Sequence, residues 1–378
     1  MYGNYHYLWK IFLSKYWVSM RYIDEYRDKE LVLSIADKIK EISKRQINLM
    51  EVCGGHTMAI QKFGIPWLLP RTVKLLSGPG CPVCVSSRKF IDHAAALARL
   101  PDVIIATFGD LIRVPGSSTS LDREKAAGAK VITVYSVLDA LEIAKKHPDK
   151  KIVFLGIGFE TTTPGSAAGI IKAHRDGLKN FFLLSSHKIM PPAMSALIDE
   201  GVKIDGYIGP GHVSTIAGTE MYREIAEKYK LGVAISGFEP VDLLQAIYLL
   251  VQQIENDDPK VEIAYKRVVK PEGNPKARAM VDEVFELRDD WWRGLGILEK
   301  SGLSLKQKYA AFDAEKALPV EIEETIEPKG CICGEILKGI KTPKDCKLFG
   351  KACTPQDPVG ACMVSSEGAC HAFYRYNR

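Results

Sequence analysis

Nine cysteines are the residues of this sequence with the clearest capacity for chemistry, and they fall into two groups. Cys53, Cys81 and Cys84 lie in glycine-rich segments near the N-terminus, and the other six lie within residues 331–370. An odd number of cysteines in a chain of 378 residues is not typical of a secreted, disulfide-bonded protein. The pattern indicates thiols that serve metal or redox chemistry in a reducing compartment, so we expect a cytoplasmic protein.

The C-terminal cysteines are spread singly through a segment rich in glycine and proline, with too few apolar residues to fold alone. They are Cys331, Cys333, Cys346, Cys353, Cys362 and Cys370. Zinc sites usually contain paired C-x-x-C knuckles, which this segment lacks, whereas isolated cysteines in glycine-rich loops suit a [4Fe–4S] cluster. We expect such a cluster, because metal binding supplies folding energy to small modules. A zinc-bound or all-disulfide module is the alternative.

Six thiols exceed the four that a cluster needs. One assignment, with the spacing C-x14-C-x6-C-x16-C, takes as ligands Cys331, Cys346, Cys353 and Cys370. The remaining two are then a spare pair, which could exchange electrons with the cluster as dithiol and disulfide: Cys333 and Cys362. The sequence leaves open which two of the six are not ligands.

The segment SGPGCPVC places Cys81 and Cys84 two residues apart after a Gly-Pro-Gly turn. This spacing brings both sulfurs within disulfide reach and indicates redox or metal chemistry. A helix that begins near Ser86 or Ser87 is expected to favour a thiolate at Cys84 and to lower the pKa of that thiol. We predict a redox-sensitive pair. The alternatives are permanent iron ligation by both thiols with Cys53, and inert core thiols.

Other potential ligands and acid–base groups lie in loops after apolar runs. His56 lies in CGGHT, Glu160 in GFETTTP, His187 in SSHKIMPP and His212 in GPGHVS. Ligand sites of parallel sheets gather at the carboxyl ends of the strands, and glycines let backbone N–H groups approach a bound group. The alternatives are that the histidines are hydrogen-bonded structural residues and that Glu160 caps the following helix. None of these segments is a dinucleotide fingerprint or a Walker loop.

Short apolar runs alternate with helical patterns from residue 47 onward, which predicts parallel strands in βαβ units. We expect one sheet or two sheets of about four strands each, and we favour two similar lobes. The runs are INLMEVC (47–53), VKLLSG (73–78), VIIATFG (103–109), VITVYS (131–136), KIVFLGIG (151–158), FFLLSSH (181–187), GYIG (206–209) and GVAISG (232–237). Residues 240–327 are predicted to be mostly helical, with Trp291 and Trp292 serving in packing.

The fold class is therefore α/β, with two Rossmann-like parallel-sheet domains and a helical, loop-rich C-terminal Fe–S domain. The expected divisions are an N-terminal extension (1–24), a first α/β domain (25–145), a second α/β domain (146–240) and the C-terminal region (241–378). The aromatic N-terminus is too interrupted by polar residues to span a membrane and lacks a signal-peptide pattern. Met20 is an alternative start, and residues 1–19 are expected to be dispensable.

The charge of the chain gives no support for nucleic-acid binding. The formal net charge is +5, and no stripe of Lys and Arg interleaved with aromatic residues is visible.

Taken together, the motifs resemble those of the HypD family of hydrogenase maturation factors. The resemblance covers roughly residues 25–378. It rests on CGGHT, GPGCPVC, TFGDLIRVPGS, GFETTTP, GPGHVS and the terminal CxCG…CxLFGxxCTPxxPxGxCMVSSEGAC, in this order. It implies two α/β domains, a third domain with a [4Fe–4S] cluster, and a role in building the Fe(CN)2CO group of [NiFe]-hydrogenases. The implied partners are a HypC-type chaperone that shares the iron and a HypE-type cyanide donor.

By position, the resemblance implies that Cys53 is the iron ligand of this chain, that His56 lies beside it, and that Cys81 and Cys84 are thiols of the cleft. It also implies a cluster environment like that of ferredoxin:thioredoxin reductase, which agrees with the spare pair. An iron-carrying redox scaffold is thus expected rather than a conventional enzyme. A free-standing Fe–S thiol–disulfide reductase and a zinc module on a small-molecule-binding protein are the alternatives.

Overall fold

The structure is a computed structural model that describes residues 20–377. The expectation that residues 1–19 are dispensable concerns a segment outside this range. Each of the eight predicted strands is present, and three further strands follow them. The strands are β1 (Ile47–Glu51), β2 (Val73–Ser77), β3 (Val103–Thr107), β4 (Lys130–Thr133), β5 (Lys151–Gly158), β6 (Phe181–His187), β7 (Gly206–Pro210), β8 (Gly232–Ser236), β9 (Val261–Ile263), β10 (Phe285–Trp292) and β11 (Gly296–Leu305).

Two parallel sheets form the centre of the molecule, which confirms the α/β class. The first sheet has the strand order β2-β1-β7-β8-β9, and the second sheet has the order β4-β3-β5-β6. The strands are continuous apolar runs because helices and loops bury both of their faces. In β3, for example, all five residues are buried.

Strand pairing does not follow the expected boundary between residues 145 and 146. The chain begins the first sheet with β1 and β2, builds the whole second sheet with β3 to β6, and then returns to the first sheet with β7. The first sheet is therefore made of two stretches that are far apart in sequence. Local periodicity predicts each strand but not its neighbours, because pairing depends on long-range packing.

Helices of varied length cover both sheets. On the first sheet, a buried cluster joins α1 and α13 to the strands through residues such as Ile39, Leu49 and Leu243. The helices are α1 (Lys29–Ile42), α2 (Gly54–Lys62), α3 (Ile65–Leu68), α4 (Pro82–Val85), α5 (Arg88–Ala98), α6 (Gly109–Ile112), α7 (Leu121–Ala126), α8 (Val137–Lys146), α9 (Thr163–Arg175), α10 (Pro191–Asp199), α11 (Gly211–Ala217), α12 (Arg223–Glu227), α13 (Pro240–Glu255), α14 (Pro275–Val284), α15 (Ala314–Ala317), α16 (Cys333–Leu337) and α17 (Ala369–Tyr376).

The prediction that residues 240–327 are mostly helical is wrong for residues 285–305, where β10 and β11 form an antiparallel hairpin. Four of the eight residues of β10 are charged, which hides its strand pattern, and only some of them make internal contacts. The buried Lys188 pairs with Asp290 at 2.9 Å and donates a hydrogen bond to the Trp291 carbonyl at 2.8 Å. Trp292 is fully buried, which confirms its predicted role in packing.

The C-terminal module, residues 331–377, consists of short helices and turns. Its last helix, α17, packs against α2 of the first sheet, and Asn377 Nδ2 donates to Gln61 Oε1 at 3.0 Å. This contact places the module beside the loop that follows β1. Between residues 20 and 377, no helix is both long and apolar enough to cross a bilayer.

Candidate functional site

A cavity of about 630 Å³ lies where the carboxyl ends of the two sheets face each other. Segments that follow β1, β2, β3, β4, β5 and β7 form its walls, together with part of the C-terminal module. This is the position that the topology of parallel sheets favours for ligands. We call it the sheet-end cavity, and its lining includes Cys53, Asp110, Tyr135, Thr161, His212, Ser365 and Glu367.

Cys53 contributes a partly exposed thiol to the sheet-end cavity. It occupies the N-cap position of α2 in an extended conformation. Burial raises the pKa of this thiol to about 12, and the nearby carboxyl of Glu367 adds to the rise, although the backbone N–H groups of His56 and Gly55 oppose it. The thiol is therefore protonated at neutral pH, and a bound metal cation would have to displace its proton.

Glycines allow neighbouring segments to pack closely around Cys53. The carbonyl of Gly80 accepts a hydrogen bond from the Gly54 N–H at 2.9 Å, and a Cβ on Gly80 would lie 2.0 Å from the Cys53 nitrogen. A Cβ on Gly54 would lie 2.6 Å from the Cβ of Glu367. The Gly-Pro-Gly turn and the C-terminal module therefore both contact the Cys53 loop at distances that exclude any side chain.

The two histidines predicted near this site differ in exposure. His56 is fully buried, its Nε2 lies 3.2 Å from the Ser236 carbonyl oxygen, and its Nδ1 has no hydrogen-bond partner among residues 20–377. Burial lowers the pKa of His56 to about 4, so the ring is neutral. His212 lines the sheet-end cavity. Both rings pack on Phe238, with centroid distances of 4.8 Å for His56 and 4.1 Å for His212.

Glu160 and His187 do not line the sheet-end cavity. Oε1 of Glu160 accepts the Met190 N–H at 3.0 Å, so this carboxyl caps α10, not the following helix α9. Burial raises the pKa of Glu160 to about 7. The buried Nε2 of His187 lies 2.8 Å from Ser166 Oγ. The alternative that Glu160 caps its following helix is therefore wrong, and the functional roles of Glu160 and His187 stay predictions.

Seven of the other eight thiols meet in a largely buried group that we call the thiol network. Hydrogen bonds link Cys84 to Cys81 and Cys362, link Cys362 to Cys333, and link Cys333 to Cys331 and Cys370. The charge of Cys353 also interacts with this group. The thiol network is Cys81, Cys84, Cys331, Cys333, Cys353, Cys362 and Cys370.

The predicted thiolate at Cys84 is wrong, and Cys362 has the favoured thiolate instead. A helix does begin where expected, with Ser87 as its N-cap, but Cys84 lies in the preceding one-turn helix and is completely buried. Burial raises the pKa of Cys84 well above its ordinary value, because desolvation outweighs the dipole of so short a helix. Hydrogen bonds from Cys333 and Cys84 lower the pKa of Cys362 to about 6.

The C-terminal cysteines are donors of the kind that a [4Fe–4S] cluster requires. A Cβ on Gly360 would lie 2.7 Å from the sulfur of Cys331 and 2.7 Å from that of Cys333. Glycine therefore keeps this space open. The sulfur of Cys353 accepts the Val359 N–H at 3.3 Å, and burial raises the pKa of this thiol although that bond opposes the rise.

Cys346 lies at the edge of this arrangement. It is partly exposed, and its sulfur is 3.9 Å from the carbonyl oxygen of Gly330, which precedes Cys331. Among the described residues, no three His, Cys, Asp or Glu side chains stand in the geometry of a metal site. All nine cysteines are free thiols, and those of the network hydrogen-bond to one another.

Several residues of the cavity were missed by sequence reasoning. Ser365 Oγ donates to Asp110 Oδ2 at 2.9 Å, and burial, together with Asp110, raises the pKa of Glu367. Asp110 follows β3, so the strand-end rule applied to that segment would have found it. Ser365, Glu367 and Phe238 gave no such signal, because long-range packing alone brings them to Cys53.

Comparison with known proteins agrees with this architecture. The family model HypD, described as "Hydrogenase formation hypA family", matches residues 29–377. The hydrogenase maturation factor HypD of Azotobacter vinelandii is 47% identical over 369 residues, which cover 95% of this chain and 97% of that protein. Proteins of the same name from Cupriavidus necator and Rhodobacter capsulatus are 46% and 43% identical over 370 residues, covering 95% and 94% of this chain and 98% of each relative.

Proposed function

The chain belongs to the HypD family of hydrogenase formation proteins and has a role in hydrogenase maturation, and we propose that it is the scaffold on which an Fe(CN)2CO group is assembled. The iron is the cargo, and Cys53 is its ligand from this chain. A HypC-type chaperone shares the iron, a HypE-type protein donates cyanide, and the assembly takes place in the cytoplasm.

One observation carries this proposal: a single cavity thiol stands apart from a buried network of thiols. Gly80, Pro82 and Val83 line the sheet-end cavity, whereas Cys81 and Cys84 of the same loop join the thiol network. Cargo can therefore bind on one side of the loop while electrons move on the other. Thiolate ligation by Cys53 leaves coordination positions for a partner and for small ligands.

The [4Fe–4S] cluster is the resident cofactor in this proposal, and when bound it supplies single electrons. The ligand assignment from spacing applies: Cys331, Cys346, Cys353 and Cys370. Cys333 and Cys362 are then the spare pair, and the contact of Cys362 with Cys84 connects the pair to the cavity loop.

Electron balance supports a dithiol in this position. Release of cyanide from a sulfur-bound carrier, R–S–CN, consumes two electrons and one proton and yields R–SH and CN−. Oxidation of Cys81 and Cys84 to a disulfide supplies both electrons and releases two protons, one of which the carrier sulfur takes. The spare pair then restores the dithiol by thiol–disulfide exchange.

Infrared spectroscopy of the full-length protein, purified anaerobically with a HypC-type chaperone, tests the proposal. We expect stretching bands of bound CN and CO and iron in excess of the cluster. Cys53→Ala should lose the bands and the excess iron while keeping the cluster absorption. Bands that persist in Cys53→Ala would place the iron on another residue.

The contact between the CPVC loop and the spare pair also supports a second candidate, a free-standing Fe–S thiol–disulfide reductase. This candidate predicts reduction of a protein disulfide by the cluster-bearing protein alone and no CN or CO bands in the complex. The same infrared measurement therefore separates the two functions.

A further inference from the structure

The turn of the β10–β11 hairpin lies against the CPVC loop through Arg293. The side chain of Arg293 is buried, with 6% of the residue exposed. Its Nε donates to the Cys84 carbonyl at 3.0 Å and its Nη2 donates to the Ser86 carbonyl at 2.9 Å. The backbone N–H of Arg293 donates to the Val85 carbonyl at 2.9 Å. Three consecutive carbonyls at the end of α4 are thus bound by one residue.

The same turn also contacts the segment that carries the C-terminal cysteines. Nη1 of Arg293 donates to Glu327 Oε2 at 2.8 Å, four residues before Cys331. The next residue, Gly294, has a φ of +85°, and a Cβ on it would lie 2.7 Å from the carbonyl oxygen of Gly334. Gly334 directly follows Cys333, so the turn touches both thiol-bearing loops at once.

The hairpin is anchored at its other end, so its turn has a defined position. Ser185 Oγ at the end of β6 donates to the Leu303 carbonyl at 2.8 Å, and the Ile189 N–H donates to the Ser301 carbonyl at 3.0 Å. Trp292 is fully buried, and its Nε1 donates to Ser301 Oγ at 2.9 Å. These contacts fix the hairpin relative to the second sheet. The turn of the hairpin therefore holds the two thiol-bearing loops in a defined position.

We propose that Arg293 is a positioning residue that holds the sulfur of Cys84 against that of Cys362 so that thiol–disulfide exchange can pass between the two pairs. In this exchange the Cys362 thiol gives up its proton and its sulfur attacks the Cys84 sulfur of a Cys81–Cys84 disulfide, and Cys81 leaves as a thiolate that takes up this proton. The Cys333 thiol then gives up its proton and attacks the Cys362 sulfur, and Cys84 leaves as a thiolate that takes up the second proton. One disulfide is reduced as another forms, so no outside electrons are needed.

The guanidinium is the group that this position requires. Its rigid planar fork donates to the Cys84 and Ser86 carbonyls and to Glu327 at the same time, which a lysine ammonium at the end of a flexible chain cannot match. Lysine keeps the positive charge, so Arg293→Lys separates the geometry of the fork from its charge.

A trapped disulfide measures this positioning without any partner protein. In the full-length, cluster-bearing protein, Cys81→Ser with Cys333→Ser leaves Cys84 and Cys362 as the pair in contact. Equilibration with glutathione and glutathione disulfide oxidises this pair and reduces one glutathione disulfide to two glutathiones. Mass spectrometry of the linked peptides then gives the equilibrium constant of the Cys84–Cys362 disulfide.

We expect Arg293→Gln and Arg293→Lys each to lower this constant at least tenfold while the cluster absorption persists. Arg267→Gln is the matched control, because Arg267 is also largely buried and forms a bidentate pair with Asp242, at 2.6 and 2.7 Å. Loss of that pair should lower the melting temperature without changing the disulfide constant. If Arg293→Gln does not fold, Gly294→Ala supplies the same test by pushing Gly334 away.

A constant within twofold of the parent in Arg293→Gln, or in Gly294→Ala if the first variant does not fold, would overturn the proposal. A parent-like disulfide constant in Arg293→Lys would also overturn the proposal, because the positive charge alone would then be sufficient to position the two sulfurs. The inference rests on the proposed function only for its use in hydrogenase maturation. Missing CN and CO bands would contradict that function and leave the disulfide constant unaffected.

Discussion

The sheet-end cavity and the thiol network lie on opposite sides of the GPGCPVC loop and differ in exposure and in their neighbours. The cavity has a partly exposed thiol, Cys53, beside a histidine and two carboxyl groups, Asp110 and Glu367. The network is closed, and Cys84 and Cys362 at its centre are completely buried. An open site can exchange cargo with a partner, whereas a closed set of sulfurs can exchange only electrons and protons.

The pKa values of the thiols also differ between the two regions. The pKa of Cys53 is raised to about 12 by burial and by the nearby carboxyl of Glu367. The pKa of Cys362 is lowered to about 6, because neighbouring thiols donate hydrogen bonds to its sulfur. A cation is needed to make a thiolate in the cavity, whereas the network stabilises a thiolate by itself. In the proposed function, the same type of side chain therefore serves cargo binding in the cavity and redox chemistry in the network.

The largest expected effect comes from removing a predicted cluster ligand. Cys353→Ala should abolish the visible Fe–S absorption and loosen the C-terminal module, because metal binding supplies much of the folding energy of such a module. Absorption spectroscopy and limited proteolysis check the two outcomes. Cys53→Ala is the control from the other region and should keep the cluster. A full cluster in Cys353→Ala would break the assignment.

A smaller but still large loss of the cluster is expected when the space beside the sulfurs of Cys331 and Cys333 is filled. Gly360→Ala places a methyl group 2.7 Å from two sulfur atoms and should reduce the iron and sulfide content by more than half. Gly165→Ala is the matched control, since a Cβ there meets nothing within 4 Å. In the helix α9 the alanine should be neutral or stabilise by up to about 1 kcal/mol. Equal cluster loss in both variants would contradict this prediction.

A pH-dependent effect on stability is expected at the buried carboxyl of Glu160. The pKa of Glu160 is raised from 4.5 to about 7, so the folded state favours its protonated form. Its contribution to stability is complete below pH 4.5 and is lost as the pH rises through 7. The loss is on the order of 3 kcal/mol. Glu160→Gln should remove this part of the pH dependence.

Chemical denaturation of the cluster-bearing protein at pH 5 and pH 8 measures the difference. The exposed Glu286 on β10 supplies a control, and Glu286→Gln should retain the pH dependence of the parent. If Glu160→Gln loses as much stability as the parent between these two pH values, the carboxyl is already ionised in the folded state.

The smallest expected effect concerns the N-terminal segment behind the cavity. Arg27 pairs with Glu239, next to Phe238, with donor–acceptor distances of 2.5 and 2.8 Å. The arginine side chain is 44% exposed, so Arg27→Ala should lower the free energy of unfolding by no more than about 1 kcal/mol.

A chain that begins at Met20 should match the full chain in melting temperature and in hydrogenase maturation. A large loss in that chain would show that residues 1–19 contribute to the fold.

Much of the fold could be predicted, because strand and helix patterns are local. Every apolar run between residues 47 and 237 is a strand, and the loops after β1 and β7 reach the cavity as the strand-end rule expects. The hairpin at residues 285–305 was missed, because β10 is rich in charged residues, one of which, Asp290, forms an internal ion pair with Lys188. The strand order of the two sheets could not be predicted, because strand pairing depends on contacts between distant parts of the sequence.

By itself, the sequence determined the α/β class, the two groups of cysteines and the motifs that identify the family, since these depend on residue type and spacing. Only the tertiary structure decided that the thiolate belongs to Cys362 and not to Cys84, because burial and hydrogen bonds from distant cysteines set their pKa values. It also decided that Glu367 and Arg293 lie beside the thiols. Such contacts join residues that lie up to hundreds of positions apart in the sequence, so no local sequence pattern predicts them.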